Sequence, residues 1–439
     1  MTSYAGNLET KSAGYSFEGF RQLAVALIFI SSFIVKFEPA LTDFFLLLAV
    51  VLYFRSGLHF SRYLGAPVFF LIVFVLSGLI SSIAISTPSR FEANYSALTY
   101  PLVLAYTSAS SVFLAAYVAG DPLRRYLRIE RAYWIGATMG AVLGLALYAG
   151  VEPLLSIFRA IGTSSYGDYA FRVTGGYKDP NVFATWLIFP LMSMLHALIV
   201  GRLRVGLVSV GSFLAMTIAL LLAFSRGAWV VAFASAVLII LLVVLLSPYK
   251  RQRQRLVLNA FVAFIIVVAL LIVLLSIPSL QASFVDRFAL VKSYDAGETG
   301  RFGNQLNSIP MLLSLPFGFG PYQFQEVFAE APHNTFLNAF ASGGWLGGIS
   351  YFLLFLTNVY MAFQIVFTRS QLQSVAIPLA VSFFVITLQG IQIDNEHWRH
   401  LYWLMGINWG LFTALRERQA EGLTDDYALQ GWNILPRHS

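Results

Sequence analysis

Three features of the sequence predict an all-α integral membrane protein of about twelve transmembrane helices with one large outer loop. Apolar residues make up 58% of the 439-residue chain and charged residues only 11%, with a mean hydropathy of +0.73. A soluble globular chain carries roughly 25% charge. The apolar residues fall in runs of about 20, the length a helix needs to cross a hydrocarbon layer about 30 Å thick. The third feature is that Lys and Arg collect mainly in alternate connections. A continuous apolar strand would leave backbone groups unpaired in lipid, so each run is predicted helical.

In order, the runs cover 21–35, 40–54, 64–86, 97–119, 131–150, 180–200, 203–224, 228–247, 256–277, 344–367, 374–393 and 398–415. A polar tail, 1–20, precedes the first, and no small-residue cleavage site follows it, so a cleaved signal peptide is not expected. The chain has no cysteine, which excludes disulfides, zinc thiolates and thiol catalysis. Asp43, near the start of the second run, is the one charged residue read well within a run, and His196 in the sixth run reads as packed. Gly136, Gly140 and Gly144 form a small-residue stripe that lets another helix approach, and GGWLGG of the tenth run reads the same way.

Orientation follows from the basic residues. The N-terminal tail, Arg55 with Arg62, the run Arg124, Arg125, Arg128 and Arg131, Arg202 with Arg204, the cluster Lys250–Arg255, Arg369 and the tail 416–439 lie in short alternate connections. The positive-inside rule makes both termini cytoplasmic. The net charge of +7 therefore reads as a topology signal in contact with a lipid bilayer, and no nucleic-acid partner is expected.

Two outer loops are long enough to carry structure. The first, 151–179, holds PLLSIFRAIG, spaced for a short interfacial helix, and then GYKDPN. There Asp179 suits a helix cap with Pro180 at the first helical position. The second, 278–332, is too short for a domain with its own large core and reads as a lid over the span bundle, with a helix from Arg301 to Ser314 and a GFGP turn. The remaining segments are then a nine-span block, 21–277, and a three-span block, 333–415.

With the spans nearly bare, reactive groups concentrate at the outer surface. Arg226 lies in FSRGAW, a short turn between two long apolar runs, against the positive-inside bias. It reads either as a snorkelling helix-end residue or as a group aimed inward by a turn at Ser225 and Gly227. Arg301 opens the lid helix, and Arg172 with Lys178 flanks the sixth run. Guanidinium groups suit bidentate contact with phosphate oxygens. His333 starts the helix leading into the tenth run, where it is either incidental or a base able to take a proton from a hydroxyl near neutral pH. Displacement of a polyprenyl diphosphate from a sugar needs cations for the departing charge and one such base. No carboxylate cluster suited to a divalent metal is evident, although Asp394 and Glu396 remain candidates. No metal or cofactor is expected.

FSRGAW, GYKDPN, Arg301, GFGP and above all HNTFLNAFASGGWLGG resemble the O-antigen ligase and polysaccharide polymerase superfamily. In the most specific piece, His333 and Asn334 are followed, after nine intervening residues, by Gly344 and Gly347. The resemblance implies a multi-pass protein of the bacterial inner membrane that works at the periplasmic face without a metal. Its donor would be an undecaprenyl-diphosphate-linked glycan. Its acceptor would be lipid A core in a ligase, which the histidine pattern favours, or a second lipid-linked glycan in an O-antigen or exopolysaccharide polymerase. By position it assigns catalysis to Arg226, Arg301 and His333, with Arg172 and Lys178 added on the diphosphate and Asn334, Asp179, Asn181 and Asp394 in support. The sequence RFGNQ lacks the Trp the family often carries after the lid arginine. The competing class is a polytopic transporter or lipid-linked sugar flippase, which would usually place ionisable residues or broken helices near the midplane.

Overall fold

The computed structural model describes residues 2–85, 97–152, 172–248, 250–288, 297, 300–328 and 330–422. The expected interfacial helix in 151–179, the outer connection 86–95 and the tail past 422 fall outside these, as does most of the DAGETG turn. Among the described residues, the regular structure is helical except for an isolated bridge between Ile34 and Gly176.

The first block contains α1 (Thr2–Ser31), α2 (Leu41–Tyr53), α3 (Gly65–Ala84, entered through a 3-10 turn at Arg62–Leu64), α4 (Thr99–Gly120) and α5 (Pro122–Tyr148). Next come α6 (Pro180–Trp186), α7 (Ile188–Ile199), α8 (Leu207–Leu222), α9 (Arg226–Leu246) and α10 (Lys250–Leu275). The lid region holds α11 (Pro278–Phe288), α12 (Arg301–Ser314) and α13 (Phe324–Val327), and the chain closes with α14 (Thr335–Phe367), α15 (Gln373–Gln389) and α16 (Arg399–Ala420). Among the described residues, six helical stretches are long and apolar enough to cross a membrane: 62–84, 99–120, 180–199, 226–246, 250–275 and 335–367. The remaining apolar runs appear as shorter helices (α2, α8, α15) or as helices diluted by polar residues (α1, α5, α16).

Several boundaries differ from expectation, each for a local reason. The 1–20 tail is helical from Thr2 and continuous with the first run. The basic runs at Arg124–Arg131 and Lys250–Arg255 are not loops but the opening turns of α5 and α10, where Arg, Lys and Gln are good helix formers. The sixth run is broken at Leu187 into α6 and α7. The spans are also less bare than expected. Glu130 lies wholly buried in α5 and accepts from Arg202 at 2.7 Å.

Helix contact is set by small residues. On α5, a Cβ at Gly136 would sit 2.3 Å from the Phe29 carbonyl oxygen, so the glycine stripe does admit α1. The closest crossing uses a pair the sequence analysis passed over, Gly406 and Gly410 of α16. A Cβ on Gly406 would lie 2.2 Å from the Ser111 carbonyl oxygen of α4. Side-chain amides link α14 and α16, with Trp409 Nε1 donating to Asn358 Oδ1 at 2.7 Å. α16 and α7 are almost entirely buried, whereas only 11% of the apolar stretch of α10 is, so α10 is peripheral.

The tenth run begins nine residues earlier than read, at Thr335, and contains a break. Gly344 has φ +66° and ψ −159°, which only glycine adopts cheaply. The break frees the Ala341 carbonyl and the Trp345 N–H. The lid turn answers both: Phe319 N and Gly320 N donate to Ala341 O at 2.7 and 3.0 Å, and Trp345 N donates to Pro316 O at 3.0 Å. Leu312, Phe319, Phe324 and Ala341 form a small apolar cluster beneath it. GGWLGG is therefore a docking break as well as packing chemistry.

Candidate active site

The lid and the N-terminus of α14 lie at one end of the bundle, opposite the basic turns. At this end the connection between α15 and α16, residues 390–398, gathers contributions from three distant parts of the chain.

His333 comes first. Its φ is +48°, the left-handed region that a side chain with a Cβ enters at a cost of about 1–3 kcal/mol. Asp394 holds it there. The N–H of His333 donates to Asp394 Oδ2 at 3.0 Å and that of Asn334 to Oδ1 at 2.8 Å. Asn334 in turn caps α14, its side chain accepting from Leu337 N at 3.1 Å. The His333 side chain is left 41% exposed, with Nδ1 4.0 Å from Asp394 Oδ2.

Beneath it the connection is pinned polar atom by polar atom. Thr335 N donates to Gly390 O at 2.6 Å, and Asn395 N donates to Thr335 Oγ1 at 2.7 Å. Asn338 Nδ2 donates to Glu396 Oε1 at 2.7 Å. Burial, and then the neighbouring Glu396 carboxylate, pushes Asp394 up to about 7. Burial alone would raise Glu396, but the hydrogen bond and charge of His397 hold it below the ordinary carboxylate value. Burial opposes charge on His397, yet Glu396 beside it raises its pKa.

The arginines reach the same connection by other routes. Arg301, at the start of α12, donates through Nη2 to the Gln392 carbonyl. The lid is further tied by Gln305 Nε2 donating to Pro332 O at 2.8 Å, next to His333. Arg226 is half-buried as the first residue of α9. Its neighbour Gly227 is in the helix, not in a turn as expected, and a Cβ there would meet Gln389 Nε2 at 2.9 Å and Gln392 Oε1 at 3.3 Å. The turn is made instead by Phe224, at φ +47°, with Ser225 as cap. Arg172 fastens that turn, donating from Nε to Ala223 O at 2.8 Å and from Nη2 to Phe224 O at 3.2 Å and Asn181 Oδ1 at 3.0 Å.

Arg172, Arg226, Arg301, His333, Asn334, Asn181 and Asp394 thus form one connected neighbourhood. Two of the expected residues have their charges engaged otherwise. Lys178 pairs with Glu38 at 3.0 Å, and Asp179 spends its carboxylate capping α6, accepting from Asn181 N at 2.5 Å. Asp43, too, is occupied, by Ala40 N at 2.7 Å, Tyr106 OH at 2.6 Å and Arg399 at 3.1 Å. The sequence analysis missed Gln389, Gln392 and Arg399. The only available signal was polar side chains at the facing ends of the eleventh and twelfth runs. Among the described residues no three His, Asp or Glu side chains gather as metal ligands would.

Fold and site together define a multi-pass helical membrane protein with a cluster of polar and cationic residues at one end of its bundle. Residues 211–352 match the Wzy_C family, described as O-antigen ligase, so the chain carries an O-antigen ligase family domain. Members of that family are enzymes that transfer lipid-linked glycans. The match spans α8 to the first half of α14 and includes Arg226, Arg301 and His333, while Arg172 and Asp394 fall outside it. No curated protein matches the chain.

Proposed function

We propose that this protein is a metal-independent glycosyltransferase of about twelve spans in the bacterial inner membrane, with its site facing the periplasm. It transfers a glycan from undecaprenyl diphosphate to an acceptor hydroxyl, as an O-antigen ligase acting on lipid A core. The observation that carries this reading is the convergence on residues 389–396 of the Arg226 helix start, the Arg301 guanidinium and the His333 backbone.

In the reaction, His333 takes the proton from the acceptor hydroxyl as its oxygen attacks the anomeric carbon. The bond from that carbon to the diphosphate oxygen breaks, and the diphosphate leaves with the electron pair. Arg226 and Arg301 hold the charge that develops on it. Arg172 positions the Phe224 turn from which Arg226 projects. Asp394 fixes the His333 backbone, and Asn181 holds Arg172. Asn334 caps the helix behind the base. Lys178 and Asp179 have only shaping roles.

The test supplies purified protein with a lipid-linked glycan and either lipid A core or a second lipid-linked repeat. Product on lipid A core supports ligation. A ladder on the second acceptor replaces that with polymerisation by the same residues, and no product on either removes the enzyme reading.

A further inference from the structure

At the end of the bundle opposite His333 lies a cavity of about 510 Å³, lined by Arg62, Tyr63, Ala66, Leu356, Tyr360 and Phe412 among others. It is far from the candidate active site. From Arg399, where the 390–398 connection ends, to Phe412 along the unbroken α16 is roughly 20 Å at 1.5 Å per residue.

Its position and chemistry point to one occupant. Leu356 and Tyr360 belong to a stripe on α14, with Ile349, Phe352, Phe363 and Phe367, that repeats at helical spacing. These six are 44–54% exposed. In a membrane-crossing helix such a stripe faces lipid tails, so the cavity opens sideways into the hydrocarbon layer. Its inner wall is apolar, from Ala66, Met361 and Phe412. Two guanidiniums stand at its headgroup end, Arg62 in its lining and Arg416 next to it through a bond to the lining Tyr360. Arg62 lies over the Tyr63 ring and its Nη2 donates to Tyr63 OH at 3.2 Å. Arg416 lies over Phe412 and donates to Tyr360 OH at 2.7 Å and Gln419 Oε1 at 3.2 Å. Both thus face neutral partners, and among the described residues no carboxylate pairs with either. By contrast, the nearby Glu417 is taken by His59 at 2.9 Å.

We propose that this cavity is a binding site for an anionic phospholipid of the surrounding leaflet. An acyl chain lies against Leu356, Met361 and Phe412, and the phosphate is held by Arg62 and Arg416, with the Tyr63 and Tyr360 hydroxyls as further donors. A planar guanidinium carries paired donors for phosphate oxygens, and a rim of two suits an anionic headgroup over a zwitterionic one.

Native mass spectrometry of the full-length protein, released from nanodiscs containing phosphatidylglycerol, phosphatidylcholine or an equimolar mixture, tests it. From the mixture, phosphatidylglycerol should be retained preferentially. The double variant Arg62→Ala/Arg416→Ala should lower that retention roughly tenfold or more. Because that variant could fold poorly, Ala66→Phe, which fills the cavity and leaves both arginines, is run beside it and should also lower retention. Glycerol phosphate added to 1,000-fold excess should not displace the lipid, since it lacks the chain. Equal retention of the two lipids, unchanged retention in Ala66→Phe, or displacement by glycerol phosphate overturns the proposal.

Discussion

At the basic end of the bundle Glu130 is wholly buried and gives both oxygens to Arg202, while at the other end Asp394 gives both of its oxygens to backbone N–H groups. The basic end also ties Arg125 to the Gly57 carbonyl at 2.9 Å, with Arg21 and Arg125 lying 4.0 and 4.5 Å from the Tyr53 and Tyr117 rings. There, cations are consumed by helix ends and rings, and the charge staples helices together. At the His333 end Asp394 holds the backbone, Glu396 binds the Asn338 and Thr335 side chains, and the imidazole remains 41% exposed. Buried charge can serve packing or chemistry. What separates the two cases is which group answers the carboxylate.

The sharpest way to break this contrast is to remove the imidazole. His333→Ala should lower glycan transfer by about 10²- to 10⁴-fold, the usual worth of a positioned base. Its melting temperature should stay close to that of the parent, because the backbone N–H groups that bind Asp394 remain. Loss of folding with loss of activity would make His333 structural. Glu130→Ala should do the reverse. It strands a buried guanidinium, which costs about 3–5 kcal/mol, and should lower thermal stability while activity per folded molecule holds. If Glu130→Ala instead abolished transfer in folded protein, the division between the ends would fail.

The two arginines sharpen the comparison within the site. Arg226→Ala should cost transfer about 10²- to 10³-fold if its charge meets the leaving diphosphate. Arg226→Lys should recover part of that loss, since charge returns without the planar fork. Arg301 already donates one bond to the Gln392 carbonyl, so Arg301→Ala should also loosen the lid, seen as faster proteolysis between residues 289 and 300. Equal proteolysis in both variants would remove the positioning role from Arg301.

These residues also mark how far the sequence reached. Arg226, Arg301 and His333 stand out because each interrupts a lipid-soluble pattern, and interruptions are visible without coordinates. The apolar runs gave helix existence for the same reason. What the pattern hid was pairing. Glu130, just before the fifth run, gives no sign of its pairing, because its partner, Arg202, is 72 residues away in sequence. The Gly344 break looked like one more close-packing glycine, since nothing local shows that the Ala341 carbonyl will need the Phe319 N–H. Lys178 stood out as a cation flanking the sixth run, whereas the cap expected of Asp179 is the role it has in α6. A charge in a short connection can equally cap its own helix or meet a neighbouring loop.

The smallest effect concerns pH, and its sign follows from the pinned carboxylate. Between the ordinary value of 3.8 and about 7, folded Asp394 keeps a proton that the unfolded chain has lost. The folded state therefore binds more protons across that window, and stability falls as pH rises through it. His397, raised above 6.5, adds a stabilisation that is complete below 6.5 and is lost as pH rises through its folded value, so its contribution has the same sign at the top of the window. Glu396, lowered from 4.5, acts oppositely but only as pH falls through 4.5 and below, outside a scan from 5 to 7. At a fixed heating rate, the melting temperature of the parent protein should thus decline from pH 5 to pH 7. Asp394→Asn removes the titrating group and keeps one acceptor oxygen, so its decline should be shallower and confined to the region near 6.5 and above. An identical slope in the two proteins would mean that Asp394 ionises as an ordinary carboxylate, and the tether on His333 would then carry full charge at neutral pH.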